Sequence, residues 1–320
     1  MGGDNAPIEI VKGAVEALKE ITYNIALVGK EDIVKAELSK YSYDKSRITV
    51  VNADEVIENC DTPTVAIKQK KNSSMVIGLN MVKKGEADAF VSAGNTGALL
   101  TGSTVIVGRI KGIERPALGT LLPTEKGVTM MLDSGANVDA KASYLPQYAL
   151  MGSIYMENVM GIKTPKVGLV NIGAEKEKGN AMVKEAYELL ENTKGINFAG
   201  NTEARDITKG DVDVIVCDAF VGNVILKLME GFGKTMLHIL KKELMADLVS
   251  KIGALISKGA FKRVMKYFEY DDKGGAPFLG LKGLVVKAHG SSDYKAVKGA
   301  IKQCSIFMDN DIVTKITEKI

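Results

Sequence analysis

Short apolar segments rich in valine and isoleucine recur along the chain, and each ends in glycine and small polar residues before a helical pattern begins. Five such units are Ala87–Gly97, Val128–Asn137, Lys166–Glu175, Val212–Asn223 and Gly283–Asp293. Two further strands are predicted at Tyr23–Val28 and Ile48–Val51, and residues 181–193 have apolar residues at helical spacing. The pattern predicts repeated strand–helix units.

Nearly continuous apolar strands that alternate with helices are typical of a mostly parallel sheet that is buried on both faces. We therefore expect an α/β fold with right-handed crossovers, formed by residues 1–320 as one unit or as two closely joined lobes. In such folds ligands bind outside the carboxyl ends of the strands. The five polar clusters are expected to face one crevice there.

A second pattern begins near Asn223, where residues 223–270 read as helix without strands and Asn223 resembles a helix cap. An apolar stripe follows at Leu244, Leu248, Ile252 and Leu255. Five basic residues and no acidic one lie between positions 251 and 266, namely Lys251, Lys258, Lys262, Arg263 and Lys266. The segment predicts a basic amphipathic helical hairpin that turns between Gly253 and Gly259, or a solvated hairpin that forms a dimer.

Composition narrows the class of protein. The 320 residues carry 42 basic and 39 acidic side chains, and this net charge of +3 gives no reason to expect nucleic-acid binding. Three cysteines without CxxC spacing give little support to a zinc site or a disulfide framework. The uncharged stretch 89–108 is half Ser, Thr, Asn and Gly, so it is not a membrane helix. Since the N-terminus has no signal-peptide pattern, an intracellular protein is expected.

Three strand-end clusters contain candidate binding residues. In SAGNTG the backbone N–H groups of the segment from Ser92 to Gly97, with the side chains of Asn95 and Thr96, can hold an anion at a helix N-terminus, or the segment can form an ordinary capped turn. The second cluster, with Asp133, Asn137 and Lys141, can fix a phosphate or a catalytic cation, or can simply end a strand and start a helix. The third contains Asp218 and Asn223, with helix capping as the alternative.

The KAHGSSD segment places Lys287 and His289 at a strand end beside a Gly-Ser-Ser turn. These two side chains can neutralise a phosphate or the oxyanion that develops in a reaction. The other histidine, His238, lies in a helical stretch with apolar neighbours and is predicted to have a packing role.

Covalent catalysis by the protein is not favoured. The chain lacks a GxSxG motif, and Cys217 lies in an apolar strand where an unreactive thiol is expected. GFGKTM lacks the third glycine of a dinucleotide fingerprint and is not a complete phosphate-binding loop. The residues thus indicate an enzyme that binds an anionic substrate, with the reaction left open.

Several sequence strings together resemble one family. In order they are MGGDNAP, DEVI, KKNSSM, SAGNTGAL, GRIKGIERPAL, DSGANVDAK, GNTEARD, DAFVGN and KAHGSSD, which extend from Met1 to Asp293. The chain resembles the bacterial phosphate acyltransferases of phospholipid synthesis, which make acyl phosphate from acyl-acyl carrier protein and inorganic phosphate. Two departures are visible: the family has a strand before MGGD, whereas this chain opens at Met1 inside that loop, and it usually has histidine in place of Asn5. Either the sequence starts at an internal methionine or the sheet edge is incomplete.

The resemblance implies a three-layer α/β/α fold similar to isopropylmalate dehydrogenase and phosphotransacetylase, and a homodimer without a cofactor. It also implies contact with acyl carrier protein, peripheral association with the inner face of the cell membrane, and a downstream glycerol-phosphate acyltransferase that consumes the product. The basic residues at 251–266 suit either an acidic carrier protein or anionic lipid.

For the site, the resemblance and the residues together suggest two groups. Phosphate and thioester are positioned by Gly2, Gly3, Asp4, Asn95, Thr96, Asn137 and Asn223. Charge is stabilised by Lys287 and His289, and Asp218 joins them as a candidate catalytic residue. The alternatives are a phosphotransacetylase-like enzyme that uses coenzyme A thioesters, a dehydrogenase on the related fold, and a non-catalytic scaffold.

Overall fold

The computed structural model describes residues 1–268 and 275–320, and the side chains of residues 1–264 and 275–320. Its helices are α1 (Ile8–Ala17), α2 (Glu31–Leu38), α3 (Pro63–Gln69), α4 (Ser74–Lys84), α5 (Thr96–Gly102), α6 (Tyr144–Val159), α7 (Ala181–Glu191), α8 (Ala219–Leu244), α9 (Leu248–Ile256), α10 (Lys258–Phe268), α11 (Tyr294–Asp309) and α12 (Ile312–Lys319). Its strands are β1 (Ile25–Gly29), β2 (Ile48–Asn52), β3 (Ala89–Ser92), β4 (Ala117–Leu118), β5 (Thr120–Thr124), β6 (Gly127–Leu132), β7 (Lys166–Asn171), β8 (Asn197–Glu203), β9 (Val214–Val216), β10 (Ala276–Leu279) and β11 (Leu284–Lys287).

Polar residues at the strand ends start the helices that follow. The side chains of Asn95, Asp218 and Asp293 each accept a hydrogen bond from a backbone N–H three residues later, at 2.9, 2.9 and 3.0 Å. The predicted strand–turn–helix units are thereby confirmed at these three positions. One boundary was wrong: α8 begins at Ala219, because Asp218 supplies the cap, and Asn223 lies one turn inside the helix.

The strands form three sheets with the orders β1-β2, β3-β11-β10-β4 and β5-β6-β9-β7-β8. Pairing is parallel except where β10 meets β11 and β4 and where β5 meets β6. Only Gly119 separates β4 from β5, and its N–H donates to the carbonyl of Pro277 at 2.9 Å, so the two larger sheets adjoin. The mostly parallel α/β fold is confirmed, and the antiparallel strands between its parallel parts were not predicted.

Helices cover the sheets and bury their apolar side chains. The largest core cluster joins α6, α7 and α11 to β6, β7 and β9, and it contains the completely buried Tyr148 and Met151 of α6. A second cluster packs α4 and α5 against β10 and β11, and a smaller one packs α1 and α2 against β1 and β2. These layers agree with a three-layer α/β/α arrangement.

A cavity of about 700 Å³ lies between β1 and β3. Within the described part of the chain, β1 pairs with β2 alone and β3 pairs with β11 alone, so the facing edges of β1 and β3 border this cavity. Met1 lines its wall, next to Gly29 at the end of β1. The cavity therefore separates the small β1-β2 sheet from the sheet that contains β3.

The helical segment consists of three helices, here called the arm (α8–α10). Its first break falls at 245–247, and its second falls at Ser257, inside the predicted Gly253–Gly259 turn. Residues 269 and 270 of the predicted hairpin lie outside the described residues. Among the helices that the structure describes, none is both long and apolar enough to cross a membrane.

Candidate functional site

Two of the predicted polar clusters, those that follow β3 and β11, meet the loop of Gly2, Gly3 and Asp4 at the carboxyl ends of these strands. The N–H of Asp4 donates to the carbonyl of Gly290 at 2.9 Å, and the N–H of Ala288 donates to the carbonyl of Ser92 at 2.9 Å. Gly2 has φ +92°, and a Cβ there would lie 3.0 Å from the Ile57 carbonyl oxygen. The loop of Gly2, Gly3 and Asp4 thus lies against the loops that follow β3 and β11.

Within this group, Asn95 ties the loop to a neighbouring segment. Its side-chain nitrogen donates to the carbonyls of Glu58, Asn59 and Asp61, at 3.2, 3.1 and 3.2 Å. Ser92 Oγ accepts from the N–H of Gly94 at 3.2 Å. Thr96, at the start of α5, remains half-buried, and Gly97 packs against Pro63. Asn95 and Gly97 therefore shape the loop that leads into the N-terminus of α5.

Lys287 and His289 lie at the end of β11. Burial lowers the pKa of Lys287 to about 8; Asp4 opposes this decrease, and the charge of Lys227 adds to it. Burial also lowers the pKa of His289, again with a contribution from Lys227. The N–H of Ser291 donates to His289 Nδ1 at 3.2 Å, so the neutral ring carries its proton on Nε2. The strand end thus combines an ammonium group and an imidazole N–H donor.

The loop after β6 is organised by the carboxylate of Asp133, which is 0% exposed. This carboxylate accepts hydrogen bonds at 2.7–3.2 Å from the backbone N–H groups of Leu118, Gly135, Ala136 and Asn137 and from Asn137 Nδ2. Burial raises the pKa of Asp133, and these donors oppose the increase. The structure corrects the expectation that Asp133 meets the phosphate itself, because its carboxylate faces the loop's own N–H groups.

The N-terminus of α8 meets this loop directly. The N–H of Ala219 donates to the carbonyl of Asn137 at 3.1 Å. A Cβ at Gly222 would lie 2.0 Å from the Asp133 carbonyl oxygen, so only glycine allows this approach. Asn223 is exposed, with Oδ1 3.8 Å from the position of a Cβ on Gly135. These contacts bring Asn137, Asp218 and Asn223 together, whereas Lys141 is exposed on the next segment and is not among the joined residues.

Two side chains of α8 connect both halves of the crevice. Lys227 Nζ lies 2.8 Å from Glu230 Oε2, and the charge of Lys227 acts on both Lys287 and His289. Neither Lys227 nor Glu230 was predicted from the sequence. The available signal was spacing, since Lys227 follows Asn223 by four residues and therefore shares its helix face. Asn59 was also missed, and its Nδ2 donates to Asp4 Oδ1 at 3.3 Å.

Other side chains do not join the crevice as reactive groups. Cys217 is buried, its Sγ donates to the Asp133 carbonyl at 3.8 Å, and burial raises the pKa of its thiol, which confirms the predicted unreactive cysteine. His238 is exposed on α8, so the expectation that it packs within the chain was wrong. A search of the described residues found no cluster of His, Cys, Asp and Glu that could hold a metal ion.

The arm exposes both charge and apolar surface. Lys251, Lys258, Lys262 and Arg263 are exposed, and the side chain of Lys266 lies outside those described. No side chain of α9 is buried, and Leu248, Val249 and Ile256 are 73%, 80% and 80% exposed. The predicted basic amphipathic character is present on the described part of the arm.

Comparisons with known proteins cover nearly the whole chain. A family model described as "Fatty acid synthesis protein" matches residues 1–315. A phosphate acyltransferase of Clostridium botulinum is 51% identical over 321 residues, which cover 100% of this chain and 96% of that protein. A phosphate acyltransferase of Clostridium kluyveri is 50% identical over 316 residues, covering 99% of this chain and 94% of that protein.

Solved structures show the same fold at low sequence identity. A phosphotransacetylase from Streptococcus pyogenes matches with a TM-score of 0.63 and 16% identity, covering 97% of this chain and 92% of that one. A branched-chain phosphotransacylase from Enterococcus faecalis matches with a TM-score of 0.56 and 13% identity, covering 95% and 96% of the two chains. At these identities the likeness concerns the fold alone.

Proposed function

The chain belongs to the fatty acid synthesis protein family, and we propose that it transfers a fatty acyl group from acyl-acyl carrier protein to inorganic phosphate. Relatives at 50–51% identity over nearly the full chain are phosphate acyltransferases, and on that basis this chain is an acyltransferase enzyme. The finer assignment of the acyl donor is our proposal. The product is an acyl phosphate for phospholipid synthesis.

The observation that supports this reaction best is the convergence of Lys287 and the Nε2–H of His289 on glycine-rich loops at one sheet edge. In the reaction, a phosphate oxygen attacks the thioester carbonyl carbon, a C–O bond forms, and the C–S bond breaks. The leaving thiolate takes up the proton that the attacking hydrogen phosphate loses, and so becomes the thiol. Phosphate is itself the nucleophile, so the enzyme must position it and stabilise the oxyanion.

The residues divide naturally between these two tasks. Lys287 and His289 donate hydrogen bonds to the oxyanion or to the phosphate. Such electrostatic stabilisation is usually the largest single contribution to the rate. Positioning falls to the loop of Gly2, Gly3 and Asp4, to the α5 N-terminus with Asn95 and Thr96, and to Asn137 with Asn223. Asp133 and Asp218 act indirectly. Asp133 fixes the loop after β6, and Asp218 fixes the start of α8.

A hydroxamate assay tests the proposed function. The purified protein is incubated with long-chain acyl-acyl carrier protein and phosphate, and acyl phosphate is trapped with hydroxylamine. We expect phosphate-dependent hydroxamate, and a loss of at least about 100-fold in the Lys287→Ala, His289→Ala double variant. An unchanged rate in that variant would exclude both residues from the chemistry.

Two further outcomes select the alternatives. A preference for acyl-coenzyme A over the acyl carrier protein would favour a phosphotransacetylase-like enzyme, the activity named for the S. pyogenes structure. No phosphate-dependent product from either thioester, with a folded protein, would favour a non-catalytic scaffold.

For the arm, we propose contact with the acidic surface of acyl carrier protein and with anionic lipid at the inner face of the cell membrane. The exposed Lys251, Lys258, Lys262 and Arg263 beside the apolar surface of α9 support this proposal. We also propose a homodimer, and a downstream glycerol-phosphate acyltransferase that consumes the acyl phosphate.

Vesicle flotation separates these possibilities for the arm. We expect binding to vesicles with anionic lipid, and weaker binding after Leu248→Ser, Leu255→Ser substitution. A matched charge variant, Lys258→Gln, Lys262→Gln, should lose the dependence on anionic lipid. Absence of binding to anionic and zwitterionic vesicles alike would leave the dimer-forming hairpin, which the oligomeric state of the serine variant then tests.

A further inference from the structure

The crevice contains a basic residue outside the set predicted for the reaction. We propose that Lys227 on α8 is a phosphate-binding residue that faces Lys287 across the crevice, and that Glu230 positions its ammonium group. This inference rests on the proposed transfer to phosphate and adds a specific residue to it.

The backbone contacts of α8 fix where Lys227 lies. Ala219 is hydrogen-bonded to Asn137, and Gly222 lies against the Asp133 carbonyl, so the first turn of α8 is held against the loop after β6. Asn223 is in the following turn, beside Gly135. Residues four apart share a helix face, so Lys227 extends from the same side of α8 one turn farther along. The helix thereby carries a positive charge from one half of the crevice toward the other.

Lys227 lies close enough to the end of β11 for its charge to act on the pKa of both Lys287 and His289. Burial is the main cause of the lowered pKa values of Lys287 and His289. The charges that act besides burial are those of Asp4 and Lys227 on Lys287, and those of Lys227, Glu230, Lys287 and Lys234 on His289. Lys287 at the end of β11 and Lys227 on α8 thus repel each other across the crevice. Asp4 and Glu230 are the acidic groups in this set, and Glu230 is already engaged by Lys227. A phosphate dianion between Lys227 and Lys287 would replace this repulsion with two attractions.

The pair with Glu230 gives Lys227 a defined position without burying it. Nζ and Oε2 are 2.8 Å apart, and the two residues are i and i+3 on α8. The Lys227 side chain is 51% exposed and that of Glu230 is 24% exposed. The ammonium group has three donors, so it can hold a phosphate oxygen while Glu230 accepts one of the others. Glu230 is accordingly a positioning residue.

Kinetics with phosphate as the varied substrate test this role. At a saturating concentration of acyl donor, Lys227→Met should raise the KM for phosphate by about tenfold or more and leave the KM for the donor unchanged. Lys227→Arg should recover part of the loss, and Glu230→Gln should have a smaller effect of the same kind. Lys184→Met, which changes an exposed lysine of α7 outside both the crevice and the arm, is the matched control and should match the wild type.

A second measurement needs no turnover. Inorganic phosphate should raise the Tm of the wild type and of Lys184→Met, and this increase should disappear in Lys227→Met. The inference is overturned by an unchanged phosphate KM in Lys227→Met, or by a phosphate-dependent Tm that does not depend on Lys227. If the wild type makes no acyl phosphate, the proposed function fails by itself, and a phosphate-dependent Tm that is lost in Lys227→Met still supports the anion site.

Discussion

The Asp133 loop and the α9 helix use their side chains in opposite ways. In the loop, a completely buried carboxylate accepts hydrogen bonds from four backbone N–H groups and one amide. In α9, no side chain is buried, and Leu248, Val249 and Ile256 face solvent. Polar groups are directed inward in one region, and apolar groups are directed outward in the other.

The two regions differ in whether their side chains find partners within the described part of the chain: those of the Asp133 loop do, and the apolar side chains of α9 do not. The buried carboxylate of Asp133 and its donors fix the loop after β6 through contacts within the chain. Exposed apolar side chains on a short helix gain stability only when a partner or a lipid surface covers them. α8 belongs to both regions, since its N-terminus is held by the Asp133 loop and its C-terminal half leads to α9.

The largest difference between the two regions should appear on removing Asp133. Asp133→Ala leaves several buried N–H donors without an acceptor, and we expect a loss of about 3 kcal/mol or more in the free energy of unfolding. Acyl-phosphate production should be abolished with it. Leu255→Ser in α9 is the matched change and should stay within about 0.5 kcal/mol of the wild type. Urea unfolding measures both, and equal midpoints would remove the distinction between the regions.

A change of pH should affect the crevice and not the arm. The protonated form of Lys287 is the active one in the proposed reaction, and its pKa of about 8 means that this form is lost as the pH rises through 8. The rate should therefore decrease about tenfold per pH unit well above that value. Lys287→Arg should move this decrease to higher pH. Vesicle binding by the arm should stay constant over the same range, and a flat rate profile up to pH 10 would contradict the role of Lys287.

The smallest effect concerns two equivalent helix caps. Asp218 accepts from the N–H of Val221 at 2.9 Å at the start of α8, and Asp247 accepts from the N–H of Ser250 at 2.8 Å at the start of α9. Each substitution to Ala should cost about 1 kcal/mol of local helix stability. Amide exchange should show the loss at both sites, whereas hydroxamate formation should decrease in Asp218→Ala alone. Equal activities of the two variants would show that the start of α8 does not matter to the reaction.

The sequence identified the fold class because its strongest signal, apolar runs followed by capping residues, is also what forms the parallel units. The strands that it missed have weaker patterns. β4 has two residues, β8 contains Gly200 at φ +93°, and β5 and β10 each contain a proline, which is unusual in a paired strand. They became strands because their neighbours in the sheet supply hydrogen-bond partners, which no local pattern records.

For the site, residue types at strand ends indicated which loops meet, but not which way a side chain points. Asp133 and Lys287 each follow or end a strand, yet one is enclosed by backbone N–H groups and the other reaches the crevice. Lys227 was missed for the opposite reason, since a lysine in a long helix resembles a solvated residue. Its position follows from how α8 packs on the Asp133 loop, which is a tertiary property.

The cavity between β1 and β3 has a consequence for compressibility. Hydrostatic pressure favours states with less void volume, and a partly apolar space of about 700 Å³ lies between the edges of β1 and β3, which face each other without a strand between them in the described part of the chain. Under compression, water entering there would hydrate the edges of β1 and β3 while the larger core cluster of α6, β6, β7 and β9 stays packed. The β1-β2 sheet is thus the part of the molecule that pressure should loosen first.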